Sequence, residues 1–200
     1  LGIPCYIPIY PRKPKNLYVP YIFSEEELKK IFKAADELMF VRRNFKCGIF
    51  SIPVLLRLLY STGMRIGEAC SLINSDVDMS SRIILVRNTK NKRDRQLPIS
   101  DSLYQVLEQY LIKRDKLPLH NMGNPNSPFL ISLDGSSLTG VSARHWFYKI
   151  LEASDIDYIP KVGPRIHDLR HTFAVHVLDK LVKEGVDMHC CLPVLSMALG

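Results

Sequence analysis

Apolar residues recur at helical spacing through most of this chain, and short β-branched runs interrupt that rhythm in only a few places. Leu28, Ile31, Phe32, Ala35, Leu38 and Met39 form one stripe behind Ser24-Glu25-Glu26-Glu27, a capping box that predicts a helix start at Ser24. Residues 50–60 are apolar nearly all round (Ile52, Val54, Leu55, Leu56, Leu58, Leu59), the pattern of a buried central helix. Thr62-Gly63 ends it and begins a helix bearing Arg65. The runs 82–87 and 95–99 read as two antiparallel strands around a polar loop at 88–94. Helical spacing returns at Leu103, Val106, Leu107, Tyr110 and Leu111, with Ser100 or Asp101 as cap. Phe129-Leu130-Ile131 reads as a third strand, and Asp134-Gly135 as a turn. A further helix holds Trp146, Phe147, Ile150 and Leu151, and a segment containing Pro160 and Pro164 leads into a helix at His167. The expected fold is α+β, mainly helical with a small antiparallel sheet.

Composition adds a partner to this picture. A net charge of +7 and a pI near 9.2 favour a polyanion, and nucleic acid ahead of a membrane, because no apolar run is long enough to span a bilayer. Residues 1–23 carry Pro4, Pro8, Pro11, Pro14 and Pro20 with Arg12, Lys13 and Lys15 between them, a basic extended arm expected to contact DNA; the compact domain is expected over 24–200. Five scattered cysteines without a C-x-x-C pair signal neither a disulfide framework nor a cysteine zinc site. With no secretory signal, a soluble intracellular protein is expected. The start at Leu1 and the stop at Gly200, straight after an apolar run, suggest a piece of a longer protein.

The candidate chemistry lies in two segments. In Ile166-His167-Asp168-Leu169-Arg170-His171, helical spacing turns His167, Arg170 and His171 toward a common space. Arg65 follows the tight turn at Gly63, with Glu68 one helical step away to orient it. Two arginines and a histidine suit a phosphodiester: planar forks bind the non-bridging oxygens and an imidazole moves a proton. Lys90 at the hairpin tip is the candidate to protonate a leaving 5′ oxygen, with Lys92 as alternative, while Lys92, Arg93 and Arg95 are expected on flanking phosphates. A rival of another class is a zinc peptidase, since His167-Asp168-x-x-His171 imitates H-E-x-x-H; the third ligand would come from His176, His189 or Cys190. A DNA-binding module without chemistry is a second rival.

T-G-M-R-I-G-E-A, T-K-N-K-R-D-R-Q-L-P-I-S and H-D-L-R-H-T-F-A, in that order, resemble the first arginine box, the lysine hairpin and the H-x-x-R-H box of the tyrosine recombinases, or phage integrases. The resemblance covers the chain from Ser24 onward and implies their catalytic-domain fold. It implies catalytic roles for Arg65, Lys90, His167 and Arg170 and supporting roles for Glu68, Asp168 and His171. It further implies double-stranded DNA as substrate, a 3′-phosphotyrosyl intermediate, no metal or other cofactor, and a prokaryotic cytoplasmic, nucleoid-associated setting. The parent protein would then be an integrase or transposase of a mobile element, tetrameric on DNA, with this piece by itself a monomer; type IB topoisomerases share the residue set. No tyrosine follows Arg170, and Tyr148 and Tyr158 lie upstream of the H-x-x-R box. These 200 residues alone are therefore expected not to form the phosphotyrosyl link.

Overall fold

The structure, a computed structural model, describes residues 19–38, 48–87, 94–120, 122–159 and 162–200. Helix α1 (Glu25–Asp36) begins as its capping box requires: Ser24 Oγ accepts the Glu27 N–H at 3.2 Å, and Glu27 Oε2 accepts the Ser24 N–H at 2.8 Å. A 3₁₀ turn leads into α2 (Ile52–Thr62), whose Leu55, Leu56 and Leu58 are fully buried, each stabilising the fold by about 1.5–3 kcal/mol on transfer from water. Against α2 pack α1, α3 (Ile66–Cys70), α4 (Asp101–Arg114) and α6 (Asp168–Lys183), while α5 (Gly140–Ala153) lies on α1 and α3, and α7 (Met188–Leu199) follows on α6. The core extends ahead of Ser24, because Phe23 is fully buried and meets Phe147 edge to face at 6.3 Å.

Strands β1 (Val77–Asp78), β2 (Ile83–Val86) and β3 (Arg95–Pro98) form an antiparallel sheet in that order. The β2–β3 register pairs Ile84 with Leu97 and Val86 with Arg95, so Ile84, Val86 and Leu97 share the buried face. The third strand is not the expected one. Phe129-Leu130-Ile131 makes no ladder, only single bridges flanking it, Ile73 to Pro128 and Ile131 to Ser137. Side chains take the ladder's place there. The Ile131 N–H donates to Ser51 Oγ (3.1 Å) and Tyr110 Oη (3.2 Å), the Ile131 carbonyl accepts from Ser51, and the Phe129 carbonyl accepts from Tyr110 and Arg114. These groups satisfy a buried backbone that has no neighbouring strand.

One buried hydroxyl ties the entry of the domain to α6. Thr172 Oγ1 donates to the Asp168 carbonyl at 2.8 Å and accepts the Phe23 N–H at 3.1 Å, with both residues out of solvent. Thr172→Val keeps the volume but strands the Phe23 N–H. It is expected to lower unfolding stability by about 1–3 kcal/mol, read from urea denaturation, and Thr172→Ser to recover most of that. An unchanged midpoint for Thr172→Val would refute this role of the hydroxyl.

Candidate active site

Gly63 makes the site possible. It ends α2 in the left-handed conformation (φ 64°), and a Cβ there would lie 2.4 Å from Phe173 and 2.8 Å from Leu199. The turn exposes the Gly63 carbonyl, which accepts from Arg170 Nη1 at 2.9 Å, and it delivers Arg65 to the start of α3. There Glu68 Oε2 caps the helix by accepting the Arg65 N–H at 2.8 Å, while Glu68 Oε1 accepts from Arg65 Nη1 at 3.0 Å. The two guanidiniums meet at one acceptor. Arg65 Nη2 donates to the Gly200 backbone oxygen at 2.6 Å, and Arg170 Nη2 approaches the same oxygen at 3.5 Å.

His167 precedes α6, and its ring meets that of His171 edge to face at 5.1 Å. Burial first, then the neighbouring His171 and Arg170, push its pKa below the ordinary histidine value of 6.5. A neutral imidazole at neutral pH can accept a proton or donate one hydrogen bond. Asp168, fully buried at the first position of α6, accepts the Arg165 N–H at 2.7 Å and so fixes the entry to the helix. A cleft of about 720 Å³ opens beside these groups, lined among others by Arg65, Gly67, Ser71, Asp76, Arg87 and His167. Arg87 closes β2 and donates from Nε to the buried carboxylate of Asp76 at 2.5 Å. Its place in the cleft was missed in the sequence, where a charge at the end of a strand looks like any solvated terminus.

Arg65, oriented by Glu68, and Arg170, held by the Gly63 carbonyl, lie on either side of one turn, with His167 lining the cleft, His171 against the His167 ring and Asp168 buried at the start of α6. Arg95 departs from expectation. It is not turned out toward flanking phosphates: its side chain is only 10% exposed and its fork lies on Glu68, at 2.7 and 3.1 Å. The partly desolvated carboxylate draws it inward. Lys90, Lys92, Arg93 and the arm residues Arg12, Lys13 and Lys15 lie outside the described residues. The zinc peptidase reading lacks a third ligand: among the described residues no three histidine, cysteine or acidic side chains gather to hold a metal. His176 is engaged elsewhere, with Nδ1 3.0 Å from Tyr60 Oη, and His189 and Cys190 are exposed.

Burial alone would raise the Glu68 pKa, but hydrogen bonds from Arg95 and from the backbone and side chain of Arg65 outweigh it and bring the carboxyl from 4.5 down to about 2. A folded-state value below the unfolded one means that this stabilisation is full above pH 4.5 and is lost as pH falls through about 2. Glu68→Gln is thus expected to lose on the order of 2 kcal/mol near neutral pH, with the gap from wild type narrowing across that window. Urea midpoints measured from neutral pH down to about 2 check this; a gap that stays constant would contradict it.

The molecule is a mainly helical domain with a three-stranded sheet, whose cleft is lined by Arg65, Arg87, His167 and Glu68 and is flanked by Arg170. Comparison with known proteins defines it further: the sequence profile of the phage integrase family matches residues 22–191, and the chain belongs to that family. A putative integrase/recombinase of Sinorhizobium fredii, y4rB, is 30% identical over 194 residues, covering 96% of this chain and 60% of the relative. The tyrosine recombinase XerA of Pyrococcus horikoshii is 30% identical over 190 residues, covering 94% and 56%. The chain thus spans somewhat over half the length of these relatives. Its fold is that of the tyrosine recombinase catalytic domains. A crystal structure of XerA recombinase superposes with a TM-score of 0.67 at 24% identity, covering 96% of this chain and 57% of that one. The lambda integrase catalytic core gives 0.57 at 20% identity, covering 82% and 89%.

Proposed function

We propose that the protein to which this chain belongs cuts and rejoins DNA at specific sites, as an integrase or transposase of a mobile element. The carrying observation is the convergence of Arg65 and Arg170 on one oxygen atom, with His167 in the adjoining cleft. A non-bridging phosphate oxygen in the place of the Gly200 oxygen would receive the same two forks. As a tyrosine hydroxyl attacks phosphorus, charge builds on those oxygens, and fixed guanidiniums stabilise it without reorganising. The bond to the 5′ oxygen breaks, Lys90 gives that oxygen a proton, and the DNA 3′ end stays joined to the tyrosine. Attack by a 5′ hydroxyl reverses the step, so the energy of the broken linkage is conserved and no nucleotide is consumed. His167, with its lowered pKa, donates to the phosphate or takes the tyrosine proton.

Among the described residues no tyrosine lines the cleft; Tyr60 bonds His176, and the Tyr148 and Tyr158 rings pack together at 4.4 Å. The nucleophile in this reading comes from outside these residues, and four protomers on two duplexes would carry out exchange. A structure of the Tn1549 transposon integrase in complex with transposon right end DNA, with a TM-score of 0.64 at 19% identity, supports DNA as the partner. The basic charge of +7 supports it as well. The test is to incubate the full-length protein with fragments of its host's DNA, quench in denaturant and sequence the DNA that remains covalently attached. One recurrent duplex sequence, linked through its 3′ phosphate to a tyrosine, is expected. Nicked DNA carrying no protein, or no nicking at all, would overturn the reading.

A further inference from the structure

Two guanidiniums, Arg65 and Arg95, grip Glu68, and a third, Arg170, lies nearby. Arg65 and Arg170 each present a terminal nitrogen to the Gly200 oxygen, at the exposed side of the site. Arg95 uses its nitrogens differently. Nη1 and Nη2 lie on Glu68 Oε1 and Oε2 at 3.1 and 2.7 Å, and Nε donates to the Ala198 carbonyl at 2.9 Å, so each of its three nitrogens already donates inside the protein. Glu68 in turn accepts from the Arg65 backbone and from Arg65 Nη1. The orientation of the Arg65 fork therefore depends on a carboxylate whose own orientation depends on Arg95. Arg95 also opens β3, five residues after Lys90 in sequence, and its contact with Ala198 reaches the last turn of α7, where unpaired carbonyls favour a cation.

Resting on the strand-cleavage reading above, we infer that Arg95 is a positioning residue: through Glu68 it holds Arg65 in register with Arg170, and it ties that carboxylate to the end of α7. It touches no DNA in this role. A lysine cannot reproduce it, because one ammonium cannot bridge both carboxylate oxygens and the Ala198 carbonyl in a fixed plane.

The experiment uses the full-length protein and a duplex carrying the site recovered by adduct sequencing. Single-turnover adduct formation, duplex affinity and melting temperature are measured for Arg95→Gln, Arg95→Lys, Glu68→Gln and the Arg95→Gln/Glu68→Gln double variant. Arg95→Gln is expected to slow adduct formation about 100-fold, the cost of a misplaced catalytic group, with affinity changed less than about threefold. Arg95→Lys is expected to recover no more than about tenfold of that, and the double variant to be no slower than the slower single one. Wild-type cleavage matched by Arg95→Gln overturns the inference and leaves the recombinase reading standing. Losses that multiply in the double variant, or a loss of affinity that tracks a fall in melting temperature, overturn it too. If Arg95→Gln does not fold, the Arg95→Lys rate decides: cleavage equal to wild type sinks the inference. A wild-type protein that forms no adduct defeats both.

Discussion

Replacing Arg170 by alanine is expected to slow strand cleavage by the full-length protein about 10²–10³-fold while leaving most of its affinity for duplex DNA intact. The Gly63 carbonyl holds Arg170 Nη1 at 2.9 Å and leaves Nη2 aimed at the oxygen shared with Arg65. A donor fixed in that way contributes most when charge accumulates on the oxygen it faces, which happens in the transition state and not in the bound ground state. Burial and the neighbouring Arg65 draw the Arg170 pKa down to about 10, with Glu68 opposing and Arg95 adding to the fall. Arg170 therefore stays cationic at neutral pH, but in a site already crowded with positive charge. Affinity is spread over many phosphates, so losing one contact weakens binding little at moderate salt. Arg170→Lys is expected to restore charge without the fork and to recover only part of the rate. Single-turnover cleavage and duplex binding at matched ionic strength separate the outcomes. Loss of binding with cleavage per bound complex unchanged would mean that Arg170 only holds DNA.

Much of this arrangement was legible in the residues because it is local. The Ser24–Glu27 box, the nearly all-apolar α2, the β2–β3 pair over residues 83–98 and the helical spacing of His167 and His171 are all short-range features, and each took the expected form. What was not legible depends on partners far away in sequence. Phe129–Ile131 has the composition of a strand, but its backbone is satisfied piecemeal, by the backbone of Leu72 and Leu138 and by the side chains of Ser51, 80 residues from Ile131, and Tyr110. Strand β1 is two residues long, too short for alternation to register. Helix α7 is apolar with Pro193 inside it, so neither a polar face nor an uninterrupted run marked it, and only Asp187, which accepts the His189 N–H, caps it. Arg95 illustrates the same limit at the site: a basic residue beside a basic hairpin looks solvated until Glu68 and the end of α7 are placed against it.

Leu169→Ala is expected to have the largest effect on stability, about 2–5 kcal/mol of a typical total of about 5–15 kcal/mol. Leu169 lies between Asp168 and Arg170 on the first turn of α6, is fully buried, and belongs to the same core as the leucines of α2, against which α6 packs. Truncation would leave a cavity beneath the turn that carries His167 and Arg170, because the buried Asp168 and Thr172 on either side prevent the helix from settling into it. The stability cost and the expected cost in cleavage then arise from neighbouring residues of one helical turn. Arg170→Ala should melt close to wild type, since it relieves repulsion with Arg65 and Arg95 while giving up the bond to Gly63. Leu169→Ala should melt far lower and, below its transition, still cleave more slowly, as His167 and Arg170 lose their common platform. Leu169→Met nearly conserves volume and is expected to cost less than about 1.5 kcal/mol with cleavage close to wild type. Thermal unfolding measured beside single-turnover cleavage reads both effects, and a Leu169→Ala protein that melts with wild type would show that α6 is held by something other than its buried face.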